Sequence, residues 1–284
     1  MSELTKRILV AVVGIPVIAG VLHLGDAPLA ILLSIAAALA AWEYGRLAQG
    51  AGARPLTGWL IVLAALVPLG MHALRLGLWV PPVSLVLLLV PTLLTAALWT
   101  RGSAGKPIEA VATTIFGVLY TGGMFSFVYA LRYHRFAVGD EAGALLVFFP
   151  VALTWINDTG AFFIGRAFGK RKLMPSVSPG KTVAGAVGGL AASAIGAWAY
   201  VHFLLGPRAG LGLTLPAVIV LGVLVSVVAQ VGDLVESMLK REAGVKDSSK
   251  LIPGHGGVLD RADSLLFSIP VAYVLLDQLL KVGA

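Results

Sequence analysis

The chain has 284 residues, 58% of them hydrophobic and only 12% charged, with a mean hydropathy of +0.93. A soluble domain carries about 25% charged residues, so a water-covered globule is excluded. The formal charge of +7 is read as membrane topology and attraction to anionic lipid rather than nucleic-acid binding, and the absence of cysteine excludes disulfide and thiol chemistry.

Repeated apolar runs of about 17–25 residues, each able to cross ~30 Å of hydrocarbon, account for this economy of charge. In chain order the expected spans are approximately 8–24, 28–48, 57–73, 80–98, 108–131, 144–167, 184–205, 212–231 and 262–281. The fold class is therefore an all-α, polytopic integral membrane protein of about nine helices, since helices satisfy their own backbone groups in lipid. The segment after Met1–Arg7 is read as a retained first helix rather than a cleaved leader. The whole chain, 1–284, is expected to form one membrane-embedded domain. Within it, N-terminal helices occupy about 1–143, and the helices and loops bearing the polar motifs occupy about 144–284.

Nine spans place the two termini on opposite sides. Arg75, Arg132, Arg135, Arg208 and Lys281 then fall on one side, and the other 16 of the 21 Lys and Arg on the N-terminal side. The positive-inside rule makes the latter the cytoplasm. Two polar segments, about 168–183 and 232–261, share that face.

The sixth span contains Asn157-Asp158-Thr159. An acid inside a transmembrane helix is a functional candidate, although a buried polar cluster joining helices would also explain it. Ser178-Pro179-Gly180-Lys181-Thr182 is not a P-loop, because Pro175 stands where the first glycine is required and no strand is expected before it. It is expected to form a Gly-Lys-Thr turn able to offer a helix terminus to phosphate.

The last loop is the most polar. Asp233 and Glu236 lie three apart at the end of the eighth span, and Asp260 and Asp263 repeat the spacing at the start of the ninth. Two such pairs suit one or two hard cations of the Mg²⁺ type, completed by water and substrate phosphates. The alternative is that they are helix-end residues, with Glu236 and Lys240 as an ordinary i,i+4 pair. Between them lie Lys240, Arg241, Lys246, Lys250 and Arg261, interleaved with Pro253-Gly254-His255-Gly256-Gly257. Glycines admit an anion to backbone N–H groups and basic side chains neutralise phosphate, whereas a plain positive-inside loop would explain the bases alone. His255 either bonds a phosphate or holds the turn. Glu43, Arg46, His23 and His72 carry no motif and are read as interfacial or structural.

Ser237-x-x-Lys240-Arg241, Lys246-Asp247 and His255-Gly256-Gly257-x-x-Asp260-Arg261-x-Asp263 together resemble the signature of phosphatidate cytidylyltransferases (CDP-diacylglycerol synthases). Asn157-Asp158-Thr159-Gly160, Gly165-Arg166 and Ser178–Thr182 resemble further family motifs in order; Ala184 stands where the family often has an acidic or amide residue. The resemblance implies that CTP and phosphatidate give CDP-diacylglycerol and pyrophosphate, in phospholipid biosynthesis at a bacterial inner membrane. It implies Mg²⁺ on Asp233 and Asp260, with Asp263 as a further ligand and a second cation such as K⁺ left open. Lys240 and Arg261 would act with those acids in catalysis. Substrate contacts would come from Asn157, Asp158, Ser178, Lys181, Ser237, Arg241, Lys246, Asp247, His255, Gly256 and Gly257. A homodimer is also implied. Two alternatives stay open: a CTP-dependent enzyme acting on an isoprenoid lipid, and an ion or phosphate transporter. The transporter reading predicts polar clusters in both halves, whereas they gather in the second.

Overall fold

The computed structural model describes residues 3–282. Among the described residues nine long helices follow one another: α1 (Glu3–Leu24), α2 (Asp26–Gly50), α3 (Thr57–Arg75), α4 (Val83–Arg101), α5 (Pro107–Arg132), α6 (Gly139–Phe168), α7 (Val183–Ala209), α8 (Leu215–Glu242) and α9 (Leu265–Leu279), the last preceded by a helical turn, Leu259–Ala262. Among the described residues eight spans are long and apolar enough to cross a membrane, with Leu259–Leu279 counted as one, and Val12–Leu24 of α1 is a shorter apolar helix. The polytopic all-α expectation holds. Small antiparallel pairs join β1 (Lys172–Met174) to β2 (Ser178–Thr182), and β3 (Leu211–Gly212) to β4 (Lys281–Val282).

The chain forms two compact units. The first comprises residues up to Val21, Gly25–Tyr129 and Leu239–Arg261; the second comprises Leu22–Leu24, Ala130–Met238 and the chain from Ala262.

In the first unit α2 buries a stripe at helical spacing, Leu29, Leu33, Ala37, Ala40, Tyr44 and Leu47. Lipid gives helices no hydrophobic reason to associate, so small residues and interhelical hydrogen bonds must hold them. Ser34 Oγ accordingly donates to the Ala65 carbonyl of α3 at 2.7 Å. A Cβ on Gly122 would lie 2.5 Å from the Ala64 carbonyl oxygen, so only glycine lets α5 come this near α3. By contrast, α4 fully buries only Leu93 and Ala97, with Leu89 and Ala96 packed beside them, and leaves most of its apolar surface exposed, as a lipid-facing helix should.

In the second unit α6 packs along α7 through glycines. A Cβ on Gly188 would meet Ile164 at 2.5 Å, and one on Gly189 would meet Asn157 Oδ1 at 2.4 Å. Ser193 Oγ donates to the Gly222 carbonyl at 3.0 Å and fastens α7 to α8.

Two expectations need correction. The eighth span was expected to end near residue 231, but α8 runs to Glu242. Hydropathy marks where grease ends, whereas the helix ends where Gly244, at φ 70°, reverses the backbone. Its 28 residues extend ~42 Å, beyond the hydrocarbon layer. Asp233, Ser237, Lys240 and Arg241 are thus helical, and the loop proper starts after Glu242. Ser178–Thr182, expected as a turn, is a hairpin strand whose register pairs Lys172 with Thr182 and Met174 with Ser178. Thr182 then caps α7, its Oγ1 accepting from Gly185 N at 3.1 Å.

Candidate functional site

The predicted residues gather in two clusters, one in each unit. In the first unit the loop after α8 folds back on itself at Pro253–Gly256. His255 N donates to the Ile252 carbonyl at 2.9 Å, and Ile252 N to the Gly256 carbonyl at 2.8 Å. Gly256 sits at φ 83°, and a Cβ there would meet Asp260 Oδ2 at 2.6 Å. Glycine is demanded both by the dihedral and by the space.

Asp260 is the centre of this cluster. Its Oδ2 accepts from Ser248 N at 2.9 Å, Ser248 Oγ at 2.8 Å and Gly257 N at 2.8 Å, and Lys240 Nζ lies 2.7 Å from Oδ1. The side chain is only 4% exposed. Donors on both oxygens offset the cost of bringing a carboxylate out of water. Beside it opens a cavity of about 560 Å³ whose rim carries Lys246, Lys250, His255 and Arg261 with Asp247 as the one acid. Arg241 faces elsewhere: its guanidinium donates to the Val245 carbonyl at 3.0 Å and closes the end of α8.

The second cluster lies on α6, β2, α7 and α8. Asn157 is buried; its Oδ1 accepts from Ser226 Oγ at 2.6 Å and Gln230 Nε2 at 2.9 Å, and its Nδ2 donates to Asp158 Oδ1 at 3.0 Å. Asn157 is therefore a joint between helices that also aims Asp158, which is exposed. Lys181 Nζ pairs with Asp233 Oδ2 at 2.7 Å, and Ser237 Oγ approaches Asp233 Oδ1 at 3.4 Å. Of these groups Asn157, Asp158, Lys181, Gln230 and Asp233 line a second cavity of about 630 Å³, with Arg166 and Lys172 adding charge to its walls and Phe162 and Leu173 apolar surface. Basic and greasy walls together suit an anion carried on a hydrocarbon tail. Ser178 remains on the hairpin, and the cavity wall passes through Gly180, Lys181 and Thr182. Asp263 is half-buried, and its Oδ1 accepts from Ser264 N at 2.6 Å.

A profile of the Cytidylyltransferase family matches residues 5–279. The chain belongs to the cytidylyltransferase family. Among its relatives is a protein of Haemophilus influenzae named phosphatidate cytidylyltransferase, 47% identical over 147 residues, which cover 50% of this chain and 49% of that one. One of the same name from Staphylococcus saprophyticus is 38% identical over 168 residues, 59% of this chain and 60% of the relative. A third, from Staphylococcus aureus, is 34% identical over 215 residues, 75% of this chain and 76% of the relative. The chain thus spans about half to three fifths of the length of the first two.

The family's resemblance implies a divalent cation, and each unit holds one carboxylate of the hard-oxygen kind such an ion takes, Asp260 in the first and Asp233 in the second. Asp233 and Asp260 supply hard carboxylate oxygens, each with lone pairs beyond those engaged by protein donors. Among the described residues no three His, Asp or Glu side chains gather as a closed cage. Mg²⁺ is commonly held in that way, by one or two carboxylates with water and substrate phosphates filling the octahedron.

Three contributors carried no motif and were not singled out as site residues in the sequence. Ser226 and Gln230 continue the face of α8 that bears Asp233, Ser237 and Lys240, at i, i+4, i+7, i+11 and i+14; that polar stripe was legible as a helical period. Glu43 is the other. It is wholly buried, 0% exposed, and lies against the Asp260 loop.

Proposed function

We propose that the protein transfers the cytidylyl group of CTP to phosphatidate, giving CDP-diacylglycerol and pyrophosphate. The observation that carries this is the loop around Asp260. A buried acid, held by donors on both oxygens, stands beside an open cavity rimmed by Lys246, Lys250, His255 and Arg261, the chemistry that a nucleoside triphosphate requires. The names of the Haemophilus and Staphylococcus relatives support the same substrates.

In this reading Lys246, Lys250, His255 and Arg261 receive the triphosphate, with the backbone at Gly254 and Gly256 forming the cavity wall beside it, while the Gly257 N–H is held by Asp260. Lys181 and Arg166 receive the phosphatidate phosphate, while Phe162 and Leu173 accompany its glycerol end. A phosphate oxygen of phosphatidate attacks the α-phosphorus; the new P–O bond forms as the bond to the β-phosphate oxygen breaks, and pyrophosphate leaves with that electron pair. The nucleophile is already ionised near pH 7, so no strong general base is needed. The barrier is the approach of two anions and the charge growing on the leaving group. Positioning and electrostatic stabilisation are what the site must supply. Lys240, fixed by Asp260, and Arg261 bring positive charge toward the leaving phosphates. A bound Mg²⁺ would neutralise charge on the phosphates. Asp260, Asp233 and Asp263 are the side chains that would offer it oxygen. A second cation such as K⁺ and a homodimer belong to this proposal on family resemblance alone. Loops that face the cytoplasm are supported by the distribution of Lys and Arg, and a bacterial inner membrane by the bacterial origin of the relatives.

The test is purified protein in phosphatidate-containing micelles with CTP and Mg²⁺, followed by pyrophosphate release. Release that needs both substrates and stops with chelator is expected. Turnover with a polyprenyl alcohol or phosphate but not phosphatidate would move the assignment to an isoprenoid lipid. Ion or phosphate flux in proteoliposomes without CTP turnover would replace it with transport.

A further inference from the structure

Glu43 lies in the second half of α2, more than two hundred residues before the loop it touches, and four donors of that loop surround its carboxylate. Ser249 Oγ donates to Oε1 at 2.6 Å and Val258 N to the same oxygen at 2.9 Å; Leu259 N donates to Oε2 at 2.7 Å, and Ser248 Oγ lies 3.1 Å from it. The same two stretches of loop serve Asp260. Of three successive backbone N–H groups, that of Gly257 goes to Asp260, and those of Val258 and Leu259 go to Glu43. The Ser248 hydroxyl stands between the carboxylates, 2.8 Å from Asp260 Oδ2, and its single proton is all that separates two acidic oxygens there. A Cβ on Gly257 would fall 2.2 Å from both Glu43 Oε1 and Ser248 Oγ, so the backbone passes flush against the carboxylate.

We infer that Glu43 is a positioning residue: its carboxylate clasps both ends of the 248–259 loop and thereby sets the orientation of Asp260 and of the basic rim beside it. A carboxylate is the only side chain of this length that accepts on both oxygens and donates nothing. An amide in its place turns an N–H₂ toward at least one backbone N–H. The part of the inference that concerns CTP rests on the proposed function; the clasp does not.

The test compares wild type, Glu43→Gln and Ser249→Ala in two assays. In the first, limited trypsin digestion follows cleavage after Lys250, exposed on the clasped loop, and after Lys246, exposed just before it. Freeing the loop raises the population of open states, so Glu43→Gln should be cut on the order of tenfold faster, with Ser249→Ala between it and wild type. In the second, kcat and KM are measured for each substrate. Loss of a partner that orients a site residue costs about 10–100-fold, expected here in kcat/KM for CTP. The KM for phosphatidate should stay within about twofold, because uniform binding of that substrate is untouched. Equal losses for both substrates with unchanged cleavage would reduce Glu43 to a stability role and overturn the inference. Wild-type CTP kinetics and cleavage rates in Glu43→Gln would also overturn it. If Glu43→Gln fails to reach the membrane, Ser249→Ala, which deletes one donor and leaves the carboxylate, decides by the same two readouts. If the wild type turns over no CTP, the proposed function fails, and the digestion alone decides the clasp.

Discussion

At the scale of single residues, the chemistry rests on how carboxylates are held. Asp260 has donors on both oxygens, so replacing one oxygen by an amide must turn an N–H₂ either toward Lys240 or toward the N–H groups of Ser248 and Gly257. Asp260→Asn is expected to lower kcat by roughly 10²–10³, the loss seen on removing one preorganised electrostatic group. Membrane-inserted Asp260→Asn protein that releases pyrophosphate at the wild-type rate would refute its assignment. Asn157 shows the opposite case. The sequence offers it as a substrate contact; in the structure its carbonyl oxygen accepts from Ser226 and Gln230, its amide donates to Asp158, and it lines the second cavity.

At the scale of elements, helix contact in lipid depends on how near two backbones can come. Gly189 faces the Asn157 carbonyl oxygen, and a methyl there would occupy the space of the Ser226–Asn157–Gln230 joint. Gly189→Ala should destabilise the protein by about 1–3 kcal/mol, the range for overpacking a filled site. A lowered melting temperature in detergent would show it. The turn between α5 and α6 carries a different liability. His134 has a side chain 0% exposed, and its Nε2 lies 3.5 Å from Asp277 Oδ1. Burial holds its pKa below the usual 6.5, Asp277 pulls it up, and Arg135 lowers it again. Because the folded state resists the proton that the unfolded state accepts, this contribution is full above about pH 6.5 and is lost as pH falls through the lowered folded value. Melting temperature should drop between pH 7.5 and pH 5, and the drop should shrink in His134→Gln; an identical pH profile for the variant would exclude His134 as the cause.

For the molecule as a whole, the distribution of charge predicts sidedness. With 16 of 21 Lys and Arg assigned to one face, the loop bearing Lys246 and Lys250 should lie in the cytoplasm. Trypsin should therefore cut it in inside-out vesicles and leave it intact in sealed right-side-out ones. The reverse pattern would invert the topology and, with it, the source of CTP.

Hydropathy and the charge pattern determined the helical membrane fold, because a span must be apolar over a fixed length and its flanks must be charged. They also located both polar segments, since an acid or a run of bases beside lipid is costly enough to stand out. They did not determine where α8 ends, because a helix can continue into water once its apolar run is over; only the backbone reversal at Gly244 fixed that. Nor could they single out Glu43. Arg46, one turn on in α2, offers an ordinary local explanation for such an acid, whereas the four donors to Glu43 come from a loop some two hundred residues later. Hydrogen bonds between such distant residues exist only after the chain has folded, so that pairing was decided by the tertiary structure alone.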